Sequence, residues 1–244
     1  MRIVSRVLAL IAFVLVVAGF ALVGWSLLGP EPGTAAEEAL APSESVAIAV
    51  EPWLTFDPGD ATTGFVLYPG GRIEPEAYAP VARRIAEAGF LVVVPEMPLD
   101  FAVFAPSRAG DVIDAHPEIE HWVVGGHSLG GAMAATYTEL TLGIDGLVMW
   151  AAYPAGSVDL SSRDIASVAL LGTEDGLVDA DEVTGATDRM PDGYLVIPIE
   201  GGNHAQFGDY GPQRGDGEAT ITPDAQWDLA ADLTIDLLIG VSSG

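Results

Sequence analysis

The 244-residue chain has no cysteine and no lysine. The first absence removes disulfides, a thiolate nucleophile and thiolate metal ligands, so apolar packing alone must hold the fold. The second leaves nine arginines as the only strong bases, against 35 acidic residues and a formal net charge of −26. That balance argues against a nucleic-acid partner, whose phosphates would be repelled, and against a surface rich in anionic lipid. It fits a solvated acidic surface that aids solubility or tolerates high salt, where self-repulsion is screened. A phosphate-cradling Gly-x-x-x-x-Gly-Lys-Ser/Thr loop is also missing. Histidine is scarce, with His116, His121, His127 and His204 alone. None of them falls in a His-x-x-x-His or carboxylate–histidine cluster, so neither a metal nor another cofactor is expected.

What the chain does have begins at residues 7–28, an uncharged apolar run of a length that spans a bilayer as a helix. Arg2 and Arg6 precede it and the next basic residue is Arg72. The positive-inside rule then predicts a cytoplasmic N-terminus and an extracytoplasmic remainder. Small residues around 33–36 leave signal cleavage and secretion as the alternative. Residues 29–45 are rich in Pro, Gly, Ala and Glu without apolar periodicity and read as a flexible tether. Residues 46–244 then form one domain large enough for a substantial core.

Within that domain, apolar β-branched runs alternate with helical ones. Strands are predicted at 62–68, 91–95, 119–124, 146–150, 167–171 and 194–199, with an antiparallel edge strand in 46–56. Helices are predicted at 75–88, 107–115, 130–142, 179–188 and 223–239. The alternation implies an α/β fold, a doubly wound and mostly parallel sheet with helices on both faces. In such a sheet, ligand sites lie at the C-terminal ends of the strands.

Four of those ends carry chemistry. Residues 123–131 read Val-Val-Gly-Gly-His-Ser-Leu-Gly-Gly, an apolar run breaking into Gly-x-Ser-x-Gly before a helix. This is the form of a nucleophile elbow with Ser128 at its tip. With 29 glycines and 12 serines, chance alone supplies about 0.2 such patterns, so the context must carry the reading. Gly126 and Gly130 leave the room that the turn needs. The amide of Leu129 would face a developing oxyanion at the helix N-terminus. His204 follows an apolar strand and two glycines and is the candidate base. Asp175 follows another strand and precedes Gly176, which permits a tight turn; Glu174 and Asp179 compete with it as the acid. His116 lies in a polar loop, His121 at the wrong end of its strand, and His127 inside the elbow, where it cannot turn back onto its neighbour. Upstream, the turn Pro69-Gly70-Gly71 closes an early strand and offers a second oxyanion donor, the amide of Gly71 or of Arg72.

The segments Tyr68–Tyr78, Val94–Pro98, Gly126–Gly131, Leu171–Gly176 and Gly201–Gly208 resemble the alpha/beta-hydrolase superfamily. They look most like small membrane-anchored bacterial members related to dienelactone hydrolase and carboxylesterase types. The resemblance spans about residues 46–240, and its order Ser128, Asp175, His204 is that superfamily's order. It departs where many members have His-Gly before the oxyanion turn and this chain has Tyr68-Pro69. The resemblance implies a serine hydrolase acting on a small-molecule ester or related acyl bond. Acyl transfer, thioester cleavage and a non-catalytic ligand-binding role on the same scaffold are the alternatives. Only residues 151–166 separate two strands where the superfamily often inserts a lid, so an open site with little or no cap is expected. Residues 97–104, 150–154 and 207–210 are its expected walls.

Overall fold

The computed structural model describes Gly24 and residues 28–243. The expected membrane span at 7–28 therefore lies outside the described residues, apart from Gly24 and Leu28. Among the described residues no helix is long and apolar enough to cross a membrane.

Eight strands form one sheet: β1 (Ala47–Ala49), β2 (Leu54–Asp57), β3 (Thr63–Tyr68), β4 (Leu91–Val94), β5 (His121–His127), β6 (Gly146–Trp150), β7 (Ala166–Gly172) and β8 (Leu195–Ile199). Their order across the sheet is β1-β2-β4-β3-β5-β6-β7-β8. The β1–β2 and β2–β4 pairs are antiparallel and all the others parallel. The single edge strand expected over 46–56 is thus two strands, which turn through Glu51 and Pro52. Proline lacks the amide that a continuous ladder would need.

Six helices are described: α1 (Thr34–Ala39), α2 (Ala79–Glu87), α3 (Arg108–Ala115), α4 (Leu129–Leu140), α5 (Ala180–Gly185) and α6 (Pro223–Ser242). The helix expected over 179–188 is shorter. Asp179 caps α5 by accepting the amide of Asp181, and Gly185, a poor helix former, ends it before a 3-10 turn at Thr187–Arg189.

All six residues of β3 are buried, because both sheet faces are covered. Successive side chains go to opposite layers. Phe65 and Leu67 join Ile85 of α2 and Trp227 and Leu238 of α6 on one side. Val66 and Tyr68 join Val112 of α3 and Ala134 and Tyr137 of α4 on the other. Only β8 is left at an edge within the parallel part, and it tolerates Pro198, whose missing amide has no neighbour to serve.

The expected tether at 29–45 is not free chain. Ala36 is fully buried, its amide donates to Asp209 Oδ2 at 2.9 Å, and Gly33 N donates to the Asp209 carbonyl at 2.7 Å. From α2, Arg83 Nη1 donates to the carbonyls of Ala39 and Ala41 at 3.1 and 3.0 Å. The docking uses backbone groups, three alanines and Leu40, too little apolar surface to leave a hydrophobic periodicity to read.

Candidate active site

Ser128 sits between β5 and α4 at φ +52°, ψ −123°, a conformation that costs a non-glycine residue about 1–3 kcal/mol. The surroundings impose it. Its amide donates to the Trp150 carbonyl at 2.9 Å, and its carbonyl accepts from Ala132 N at 3.2 Å in the first turn of α4. A Cβ on Gly126 would lie 2.5 Å from the Gly130 carbonyl carbon, and one on Gly130 would overlap the carbonyl oxygens of Tyr68 and Pro69. The strand also runs further into the glycines than expected, so Gly125 and Gly126 pair in register with Val148 and Met149 of β6.

The next two strands deliver a carboxylate–imidazole pair. Asp175, after β7, and His204, after β8, meet at 2.9 Å between Oδ2 and Nδ1, with both side chains almost wholly buried. Asp175 Oδ1 accepts the amides of Leu177 and Val178, each at 2.8 Å, which fixes the carboxylate. An acceptor at Nδ1 places the imidazole proton there and leaves Nε2 with a lone pair. The competing acids are elsewhere: Glu174 is exposed and Asp179 caps α5. His116 pairs with Glu118 at 3.0 Å and His121 faces Asp145 at 3.6 Å, both away from the elbow. The structure therefore brings Asp175 and His204 together. It forms no hydrogen bond from the Ser128 hydroxyl to His204, although the ring of neighbouring His127 lies 4.6 Å from the His204 ring.

Residues not singled out from the sequence hold these loops. Asp216 accepts the amides of His204 at 3.2 Å and Ala205 at 2.8 Å from the base loop, and that of Gly176 at 3.1 Å from the acid loop. Gln226 of α6, fully buried, brackets Asn203 by accepting its amide at 3.0 Å and donating to its carbonyl at 2.8 Å. The Tyr78 hydroxyl accepts Gly70 N at 2.8 Å and bonds His127 Nδ1 at 2.9 Å, tying the upstream turn to the elbow. Burial, and then the nearness of His204, hold the His127 pKa well below its ordinary value. Neutral His127 can accept the Tyr78 proton at Nδ1. The only local clue was Asp216 itself, a carboxylate between Gly215 and Gly217.

The upstream turn separates its amides. Gly70 N is used by Tyr78, and Arg72, at φ +64°, donates its amide to the Asp100 carbonyl at 2.7 Å. Among the described residues the amides of Gly71 and of Leu129, the first residue of α4, carry no hydrogen bond. The two residues are neighbours: a Cβ on Gly71 would lie 3.5 Å from Leu129 Cδ2.

Ser128 thus sits on a strained strand-to-helix turn, with the Asp175–His204 pair on later strand ends. The model of the alpha/beta hydrolase family matches residues 64–228, which includes all three positions. The chain belongs to the alpha/beta hydrolase family. A crystal structure titled as a predicted CIB-like hydrolase from Thermoplasma acidophilum shares the fold, with TM-score 0.61 and 16% sequence identity over 81% of this chain and 99% of that one. A search of curated proteins returns no match.

As an alpha/beta hydrolase, the chain has no cap after β6. Residues 151–165 contain neither helix nor strand. Of the expected walls, Ala151, Ala152 and Tyr153 border a depression of about 280 Å³ shared with Ser128 and Val178. Phe101 lies against Gly71, within 3.2 Å of a Cβ built there, and Tyr210 lines a second cavity that Gly71 also borders. Trp150 and Phe207 are not walls: they stack with centroids 5.9 Å apart, fully buried in the core. No group of three or more histidines, aspartates or glutamates able to hold a metal occurs among the described residues.

Proposed function

We propose that this alpha/beta hydrolase is a serine hydrolase that cleaves a carboxylic ester or related acyl bond through an acyl-enzyme. The observation that carries the reading is the buried Asp175–His204 pair, at 2.9 Å, on the strand ends that follow the Ser128 elbow. In this reading His204 Nε2 takes the Ser128 proton as Oγ bonds to the acyl carbon. Asp175 holds the ring through Nδ1–H and stabilises the imidazolium. The carbonyl electrons move onto oxygen, where the unpaired amides of Leu129 and Gly71 supply two preorganised donors. The commitment of the Arg72 amide to Asp100 favours Gly71 as the second donor. His204 then passes its proton to the leaving oxygen, and a water attacks the acyl-enzyme by the same route.

A second charge near His204 would oppose the imidazolium. Neutral His127, with its ring 4.6 Å away, avoids that cost. A fluorophosphonate probe tests the nucleophile: Ser128 is expected to be labelled and Ser128→Ala to abolish labelling. His204→Ala is expected to lower turnover of a p-nitrophenyl ester by several orders of magnitude. An unlabelled wild-type protein would favour the ligand-binding reading instead.

The uncharged run at 7–28 and the arginines at its start support a second part of the proposal, that the domain is tethered outside the cytoplasmic membrane. Protease added to intact cells should digest the domain while leaving cytoplasmic markers whole; protection would overturn this placement.

A further inference from the structure

We propose that the site selects a short, uncharged acyl group, which occupies the depression beside Ser128, while the leaving group departs on the His204 side. This rests on the serine-hydrolase reading and adds the substrate class. The depression, about 280 Å³, is bordered by Ser128, Leu129, four alanines, Tyr153 and Val178, with no charged side chain among them. That is notable in a chain with 18% charged residues. The space exists because the side chains around it are short. Ala132 comes from the first turn of α4, Ala151 and Ala152 from the end of β6, and Ala155 from the loop beyond. Ala151 is held at φ +45°, with its amide on the Leu170 carbonyl at 2.8 Å, so the chain turns away from β6 at this point. The volume falls below the range of about 300–1,000 Å³ usual for ligand pockets, and it suits a chain of a few carbons.

The orientation follows from who lines the space. The depression contains the nucleophile and Leu129, an oxyanion donor, but no residue of the His204 loop. A leaving group must lie where His204 can protonate it, which leaves this space to the acyl chain. The cavity bordered by Gly71, about 470 Å³, is lined by Arg72, Arg214, Gln213 and Tyr210 and is the more polar environment. An apolar chain partitions to the alanine side.

The test uses the full chain and p-nitrophenyl esters from acetate to laurate. If the depression binds the acyl chain, kcat/KM rises by up to about fourfold per methylene from acetate to butyrate or pentanoate, then levels off or falls by octanoate. Ala132→Leu and Ala155→Leu change half-exposed positions. Each should lower the butyrate-to-acetate ratio of kcat/KM by about tenfold, the value of nearly two methylene contacts, with unfolding curves showing that both variants fold. The proposal is overturned by kcat/KM still climbing at laurate, by a preference for a hemisuccinate over a butyrate, or by an unchanged ratio in both folded variants. A labelled Ser128 with no turnover of any ester overturns the short-acyl assignment alone. A wild-type Ser128 that resists the fluorophosphonate probe overturns the serine-hydrolase reading beneath it as well.

Discussion

Replacing Asp216 with asparagine isolates the contribution of one carboxylate to the geometry of the site. Oδ1 accepts from Gly217 at 2.8 Å, Gly176 at 3.1 Å and His204 at 3.2 Å, and Oδ2 from Ala205 at 2.8 Å. An asparagine can place its single oxygen at Oδ1 and keep three of these bonds without their charge, but its amide group then faces the Ala205 N–H. Hydrogen bonds to a charged group are each worth about 1.5–3 kcal/mol and neutral ones about 1, and an orphaned donor costs about 1–3. Water can replace part of the loss at this half-buried residue, so a net destabilisation of about 2–3 kcal/mol is expected. The catalytic effect should be the larger one, because the weakened bonds to Gly176 and His204 join the two loops and the lost one anchors Ala205, next to His204. A displacement of His204 by about 1 Å is enough for a hundredfold loss, so kcat should fall by about ten- to a hundredfold with KM changed little. Urea unfolding followed by tryptophan fluorescence gives the first quantity and steady-state ester hydrolysis the second. A variant destabilised as expected but with wild-type kcat would refute the reasoning, since the pair would then be held without Asp216.

Three further outcomes follow from other contacts. Tyr78→Phe removes the acceptor of the buried Gly70 amide and the partner of His127 Nδ1; at about 1–3 kcal/mol for each of the two groups left unpaired, urea unfolding should show a loss of about 2–6 kcal/mol, and one below about 0.5 kcal/mol would mean that neither bond matters. His127 has its folded-state pKa depressed, so the unfolded chain takes up a proton that the folded one refuses. Its contribution is fully present above the unfolded value of about 6.5 and is lost as pH falls below it, by up to about 1.4 kcal/mol per pH unit; the fall in stability between pH 7 and pH 5 should therefore shrink in His127→Gln, and an undiminished fall would assign the effect to other groups. Gly130→Ala drives a methyl into the Tyr68 and Pro69 carbonyls, so about 3 kcal/mol or more of stability should disappear, whereas an unchanged urea midpoint would show that the elbow can shift.

Legibility in the sequence divides along the range of the interaction. The strands could be placed because burial on both faces writes an unbroken apolar run, as in Phe65-Val66-Leu67, and the elbow because only glycines fit beside Ser128. The positions of Asp175 and His204 were legible because each follows an apolar run, even though the edge strand β8 is only partly buried. The choice between the amides of Gly71 and Arg72 was not, since it turns on the Asp100 carbonyl, 28 positions away in the chain and brought in by a loop with positive φ at Leu99 and Asp100. Nor was the docking of residues 33–41, which uses backbone amides and carbonyls, or the role of Gln226, which sits near the N-terminal end of α6 and resembles any helical glutamine until its amide is seen bracketing Asn203.

These long-range ties join the turns around the site in a chain with no cysteine and no cap after β6. Each of its turns is fastened by a group outside the acid–base pair: the upstream glycine turn by Tyr78, the elbow by the Trp150 carbonyl, the acid and base loops by Asp216, and the approach to His204 by Gln226. Every fastening ends on a backbone amide, so none depends on the side chains that line the depression beside Ser128. The alanines there are consequently free to set what fits, while the turns fix where the reacting atoms lie. Acyl selectivity and catalytic geometry should then separate on substitution. Changes at Ala132 or Ala155 should move the chain-length profile, and changes at Asp216 or Tyr78 should lower the rate for every chain length alike.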